Sequence, residues 1–244
     1  MLKKYVILLF FLIPASIYAQ QSLDYEVEDF DRVIISPHID VVLLEGNSPH
    51  VRVEYENIDV HEINVDRSGK TLKLFLSQAR IFEKTERTDY NYTRGVYHDA
   101  RVTAFVTFTA LEMLEVRGDQ HVNIGTPVRS KEFKLKAYGE NIITLAAVNS
   151  EYLKVSLFGE NELRIEDGQV EFQKYTLYGE NAIEAGNLTS QHTQTTIYGE
   201  SEILVHADHE LKVTALGEGI ISYTGNPVIN TGLIIGEPRI FARQ

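Results

Sequence analysis

The sequence predicts an all-β protein, a single-stranded right-handed parallel β-helix (β-solenoid) with coils of about 20 residues and an irregular β region ahead of them. Three observations carry that prediction. Tyr/Phe-Gly-Glu-Asn/Ser occurs four times at intervals of 20 residues, beginning at Tyr138, Phe158, Tyr178 and Tyr198. Apolar residues alternate with period two on both sides of each of these glycines, which means strands with one buried face. No segment after the N-terminal leader shows helical periodicity.

In chain order, the first element is residues 1–19. Lys3 and Lys4 precede an apolar run from Tyr5 to Pro14, and the small residues Ala15, Ser16 and Ala19 lead into Gln20 and Gln21. That order of basic, apolar and small residues is a secretory signal peptide, cleaved after Ala19. The apolar run is shorter than the roughly 20 residues of a spanning helix. Without it, the formal charge goes from −12 to −14. The mature chain has no other stretch that would span a membrane as a helix, and with no cysteine it is expected to fold without disulfides and to offer no attachment point for a lipid anchor. Exported location, in the periplasm or at the cell surface, is the expectation. The acidic balance excludes nucleic acid as partner, because phosphates require a basic face.

Residues 20–110 form the second element. VIISPHIDVVLLEG, HVRVEYEN, KTLKLFL and RVTAFVTFTA read as strands separated by turn residues. They lack the glycine register, so they are either irregular first coils or an antiparallel β cap over a solenoid end. Within them, Thr85 to Asp99 is polar yet carries Tyr90, Tyr92 and Tyr97. A recognition loop and a loop folded over the solenoid end are both open for this segment.

Residues 111–244 are the solenoid proper, continuous with 20–110 in one domain. Its structural glycines are Gly139, Gly159, Gly179, Gly199, Gly217 and Gly236, with Gly118 a weaker first member. They share the parity of the inward residues, so the chain is expected to turn there with positive φ or with no room for a Cβ. A meander of hairpins would share the alternation, but it does not demand one residue type at every corner. Stacked coils lie ~4.8 Å apart, which lines equivalent residues up in columns.

Three columns bear on function. Tyr138, Phe158, Tyr178 and Tyr198 share the outward parity of Lys134 and Lys136 and form an aromatic ladder, which either takes part in binding or simply covers a corner of the solenoid. Glu140, Glu160, Glu180, Glu200, Glu218 and Glu237 form an acidic column, read as solvated carboxylates partly balanced by Lys134, Lys154, Lys174 and Lys212. Asn141, Asn161 and Asn181 are expected to form a hydrogen-bonded ladder.

The order of these features resembles a known family. The alternation from Phe30 to Val42, the strand from Leu111 to Gly118, the repeated glycine triplets and the ending Gly217-Glu-Gly-Ile-Ile-Ser-Tyr-Thr-Gly-Asn-Pro227 are similar to bacterial auto-transporter adhesins with a head GIN domain. The resemblance covers about residues 30–240. It implies an all-β, largely β-helical exported protein of Bacteroidetes-type bacteria, with adhesion carried by the family's name. This chain uses Gly-Glu-Asn where the family favours Gly-Ser-Gly. It is expected to lack a C-terminal membrane barrel, and so not to translocate itself.

Catalytic signatures are missing from the sequence: no G-x-S-x-G, H-E-x-x-H, P-loop or dinucleotide fingerprint occurs. His206 and His209, with Asp208, do not share a face at strand spacing and are not read as a metal site. The expectation is therefore a non-catalytic binding or adhesin-like protein of the cell envelope, with no cofactor and no metal. The partner would be a glycan or another envelope protein, and a homo-oligomer is a further option. The alternative is a polysaccharide lyase or hydrolase built on a β-helix.

Overall fold

In a computed structural model, residues 21–89 and 92–243 are described; the expected signal peptide lies outside them. Strands succeed one another through the whole of this range. The chain begins with β1 (Gln21–Glu26), β2 (Arg32–Ile35), β3 (Asp40–Glu45), β4 (His50–Glu56), β5 (Ile63–Ser68) and β6 (Thr71–Leu76). A hairpin, β7 (Thr85–Asp89) and β8 (Tyr92–Gly95), precedes β9 (Arg101–Phe108) and β10 (Met113–Ile124). Then come three strands of one repeat each, β11 (Val128–Leu145), β12 (Val148–Ile165) and β13 (Gly168–Ala185), followed by β14 (Thr189–His206). The last coils are split into β15 (Glu210–Leu216) with β16 (Gly219–Thr224), and β17 (Val228–Ile235) with β18 (Arg239–Ala242).

From β10 onward every coil pairs in parallel with the next, and the register keeps the glycines together: Gly118, Gly139, Gly159, Gly179 and Gly199 are successive partners. The solenoid, and not the hairpin meander, is the architecture. Inward residues follow from the period-two alternation. Ala137, Leu157, Leu177, Ile197 and Ala215 form one buried column, and Ile143, Leu163, Ile183, Ile203 and Ile221 another. Each large aliphatic side chain buried this way contributes about 1.5–3 kcal/mol.

The N-terminal region does not stack in chain order. β10 lies parallel on β2 and β3, and those lie parallel on β6 and β9. The coil made by residues 32–45 is thus sandwiched between β10 and a coil made from segments that come later in sequence. Beyond that coil the pairing turns antiparallel: β5 on β6, β4 on β9, and β1 on β4. Both readings of residues 20–110 are therefore realised, irregular coils first and an antiparallel cap outside them. Such a cap removes backbone donors and acceptors from an otherwise open parallel edge.

The polar segment around residues 85–99 is an insertion between β6 and β9 that forms a separate two-stranded sheet. Among the described residues, no helix is long and apolar enough to cross a membrane.

Candidate functional site

Each repeat strand bends at its glycine, so the solenoid has one outer face before the corner and another after it. The six structural glycines have φ between 97° and 135°. At Gly179 (φ 97°) a Cβ would lie 2.4 Å from the carbonyl oxygen of Gly159, the glycine of the coil below. The corner thus lets one backbone turn sit on another with no side chain between them.

On the face before the corner, Tyr138, Phe158, Tyr178 and Tyr198 form a continuous stack. Ring centroids are 4.9, 4.9 and 4.6 Å apart, with planes within 6° of parallel. Carbon atoms in contact prefer ~3.5–4.0 Å, so these are offset, shingled rings that largely cover one another's faces. Edges and tyrosine hydroxyls are what the ladder presents to solvent. The register continues the column as Leu216 and Ile235.

A second ladder lies six residues upstream on the same face. Tyr152, Phe172 and His192 stack at 5.2 and 4.8 Å, and His209 meets His192 edge-on at 5.9 Å. Sequence reasoning missed this column, although Tyr152, Phe172 and His192 follow one another at the same 20-residue interval. Its mixed composition hid it beside the invariant Gly-Glu.

Between the two ladders run a lysine column (Lys134, Lys154, Lys174 and, two coils further on, Lys212) and a hydroxyl column (Ser156, Thr176, Thr196, Thr214) that begins with Lys136. Gln194 interrupts the lysines. Glu132 binds Lys134 and, at 2.8 Å, Lys154. Hydrogen bonds from Lys134 and then Lys154 hold the Glu132 carboxyl below the usual carboxylate range.

That pairing corrects one expectation. The lysine column forms no ion pair with the glutamate column among the described residues: the glycine corner lies between them, and Glu132 takes Lys134 and Lys154 instead. Asp119, Glu140, Glu160, Glu180 and Glu200 stand in register on the other side of the corner, and none forms an ion pair among the described residues. Glu218 and Glu237 are exposed in the last two coils.

Directly behind the acidic column the asparagines point inward. Asn141 donates to Asn161 Oδ1 at 2.8 Å, and Asn161 donates to Asn181 Oδ1 at 3.0 Å. Ser201 extends the row, accepting from the Asn181 backbone at 3.3 Å. At the other end, Gln120 donates to the Ser36 and Arg117 carbonyls, which leaves Asn141 Oδ1 without a partner.

A second buried polar cluster sits deeper. Gln173 Nε2 lies within 2.9 Å of Ser190 Oγ, Thr193 Oγ1 and the His206 carbonyl oxygen, three acceptors for its two hydrogens, while Tyr175 donates to Gln173 Oε1 at 2.7 Å. Burial pushes the Tyr175 phenol well above its usual pKa. The His206 ring lies between Thr224 Oγ1 (2.9 Å) and Asp208 Oδ1 (3.1 Å), whereas His209 is turned toward His192. The two imidazoles thus face different neighbours.

Of the three tyrosines of the insertion, Tyr97 is the one whose side chain is described. Tyr90 lies outside the described residues, and Tyr92 is described only as the first backbone position of β8. Tyr97 is buried, at 5% exposure, so its ring is not available as a binding residue and packs inward instead. Its hydroxyl donates to Glu62 at 2.6 Å and accepts from the Gln78 backbone at 3.0 Å, which ties the insertion to the coil beneath it. Burial first, and the Glu62 hydrogen bond second, push its pKa up to about 12.

The family model described as "Putative auto-transporter adhesin, head GIN domain" matches residues 29–227. A crystal structure described as a putative adhesin from Bacteroides fragilis is similar with a TM-score of 0.77 at 17% identity, over 93% of this chain and 98% of that one. A putative adhesin from Parabacteroides merdae gives 0.68 at 14% identity, over 92% and 96%. A structure described as a putative lipid binding protein from Parabacteroides distasonis gives 0.63 at 18%, over 92% and 96%. At these identities the likeness concerns the fold. No curated protein matches the chain.

Proposed function

From the premise that the chain belongs to the auto-transporter adhesin, head GIN domain family, we propose that it is an exported, non-catalytic, adhesin-like protein of the cell envelope. It acts in the periplasm or at the cell surface and binds a glycan or another envelope protein. The observation that carries this reading is the face before the glycine corner, where two aromatic ladders flank exposed lysines and hydroxyls repeated from coil to coil. A repeated, nearly flat surface suits an extended or repetitive partner, since each coil offers the same groups again.

The ladder itself contributes rigidity and hydroxyl groups more than open ring faces. Sugar stacking on the four aromatic rings is therefore a smaller part of the binding than the exposed column alone suggests. The rival reading, a carbohydrate-degrading enzyme, calls for a pair of carboxylates set apart across a cleft. Here the carboxylates recur on every coil, which favours binding.

The test is a glycan array run beside a polysaccharide depolymerisation assay on the mature protein. Retention of a glycan without chain shortening is the expected result. Release of oligosaccharides would transfer the protein to the enzyme class.

A further inference from the structure

The geometry points to an anionic polysaccharide as the ligand class, bound along the solenoid axis in the strip between the two aromatic ladders. The inference rests on the binding reading above and names the chemistry of its partner.

Charge is the first argument. The chain has a formal net charge of −12, yet Lys134, Lys136, Lys154, Lys174 and Lys212 gather on one strip. The acids that face them are Glu132 and Glu210 at its border, and Glu115, which lies beside Lys136 in register and is paired with Arg117. Glu132 is taken up by Lys134 and Lys154, and Glu210 reaches His192 and Asn230. Lys136, Lys174 and Lys212 form no ion pair among the described residues. The unpaired glutamate column lies beyond the glycine corner, six residues along the chain from Lys134, Lys154, Lys174 and Lys212 and four from Lys136. At ~3.3 Å per residue those paths are at most roughly 20 Å and, for Lys136, roughly 13 Å, against a screening length of ~8 Å at physiological salt. The strip therefore presents itself to an approaching polymer as locally basic.

Shape and hydrogen bonding supply the second argument. Tyr152 and Phe172 border a shallow depression of about 390 Å³ whose floor includes Lys154, Lys174 and Lys212. Alongside, the hydroxyls of Ser156, Thr176, Thr196 and Thr214 hold no protein partner among the described residues. Lysine ammonium groups suit carboxylates or sulfates as point charges, and free hydroxyls both donate to and accept from sugar hydroxyls. Successive coils repeat this pair of groups every ~4.8 Å. A chain with one acidic group per sugar or per disaccharide meets a lysine at matching intervals, and Gln194 is a neutral step in that row.

Duplex DNA is also a polyanion, but its charge is spread around a wide cylinder that would bring phosphates toward the acidic column. A single extended sugar chain stays within the strip.

The experiment measures binding of the mature protein to polygalacturonate, heparin, uncharged dextran and duplex DNA, at low and at physiological salt. Expected are retention of polygalacturonate or heparin, weakening with salt, and no retention of dextran or DNA. The Lys154→Glu, Lys174→Glu, Lys212→Glu triple variant should bind at least about tenfold more weakly, while Glu180→Gln, across the corner, should leave affinity unchanged or slightly raised. Circular dichroism of each variant checks the fold. Should the triple variant misfold, Lys174→Gln and the salt dependence of the unaltered protein decide. Equal binding of dextran, a preference for DNA, or a triple variant that folds and binds undiminished would overturn the inference. Retention of neutral glycans with no lysine dependence would do the same while leaving the adhesin-like reading standing.

Discussion

Gly179 makes a backbone demand that no side chain can meet. Its φ of 97° is unfavourable for any residue with a Cβ, and that Cβ would meet the Gly159 carbonyl oxygen at 2.4 Å. The left-handed strain alone costs about 1–3 kcal/mol, and the contact is with backbone, which cannot rotate aside. Tyr178, next to it, stacks on Phe158 and Tyr198. Such ring pairs are worth roughly 0.5–1.5 kcal/mol each, and at 39% exposure truncation opens no cavity. Gly179→Val should therefore lower stability in denaturant titration by more than Tyr178→Ala does. The reverse order would mean that the ladder, and not the corner, holds the coils together. This corner was legible in the sequence because one residue type recurs where only one type fits. Tyr97 was not, because outside the repeat no parity tells an inward tyrosine from an outward one.

Among the elements, the insertion between β6 and β9 depends on Tyr97 more than on its own hairpin. The hydroxyl bridges Glu62 and the Gln78 backbone, and the Tyr97 amide donates to Glu83 at 2.6 Å. Glu83 also reaches His38 at 3.0 Å. A tyrosine in the unfolded chain ionises near about 10, whereas burial and Glu62 raise Tyr97 to about 12. The fold thus favours the neutral phenol. Its contribution to stability is whole below about pH 10 and is lost as pH rises through about 12. Melting temperatures followed into that range should fall more steeply for the unaltered protein than for Tyr97→Phe, and parallel curves would remove Tyr97 from this role. The strands themselves were legible from alternation, and so was the continuous solenoid after Gly118. The interleaving of β2 and β3 between β10 and the coil of β6 and β9 was not, since alternation reports which face is buried and carries no information on which strand lies alongside. The ladder of Tyr152, Phe172 and His192 was readable in principle; the three different ring types concealed a column that the register makes plain.

For the whole molecule, the repeat makes a prediction that an ordinary globular fold would not survive. Each coil between β11 and β14 pairs its strand with its two neighbours, so stability is close to a sum of coil terms and nearest-neighbour interfaces. Removing residues 160–179 joins Gly159 to Glu180, and every column then closes up by one place. Phe158 would meet Tyr198, Lys154 would meet Gln194, and Leu157 would meet Ile197. One coil and one interface are lost, along with Gln173 and its bonds to Ser190 and Thr193, which keep their own bonds to the His206 carbonyl. The shortened chain should remain β-rich by circular dichroism and melt cooperatively at a lower temperature. Removing residues 165–174 deletes half as much chain but shifts the glycine of one coil by half a turn against its neighbours. That puts Tyr178 and Gly179 beside side chains that leave them no room, so the smaller deletion should be the more damaging. The basic strip should follow the same logic, with the 20-residue deletion shortening it by one lysine and weakening polyanion binding without abolishing it. If both deletions unfold the protein alike, the coils do not act as interchangeable units, and the stacking columns are not what carries its stability.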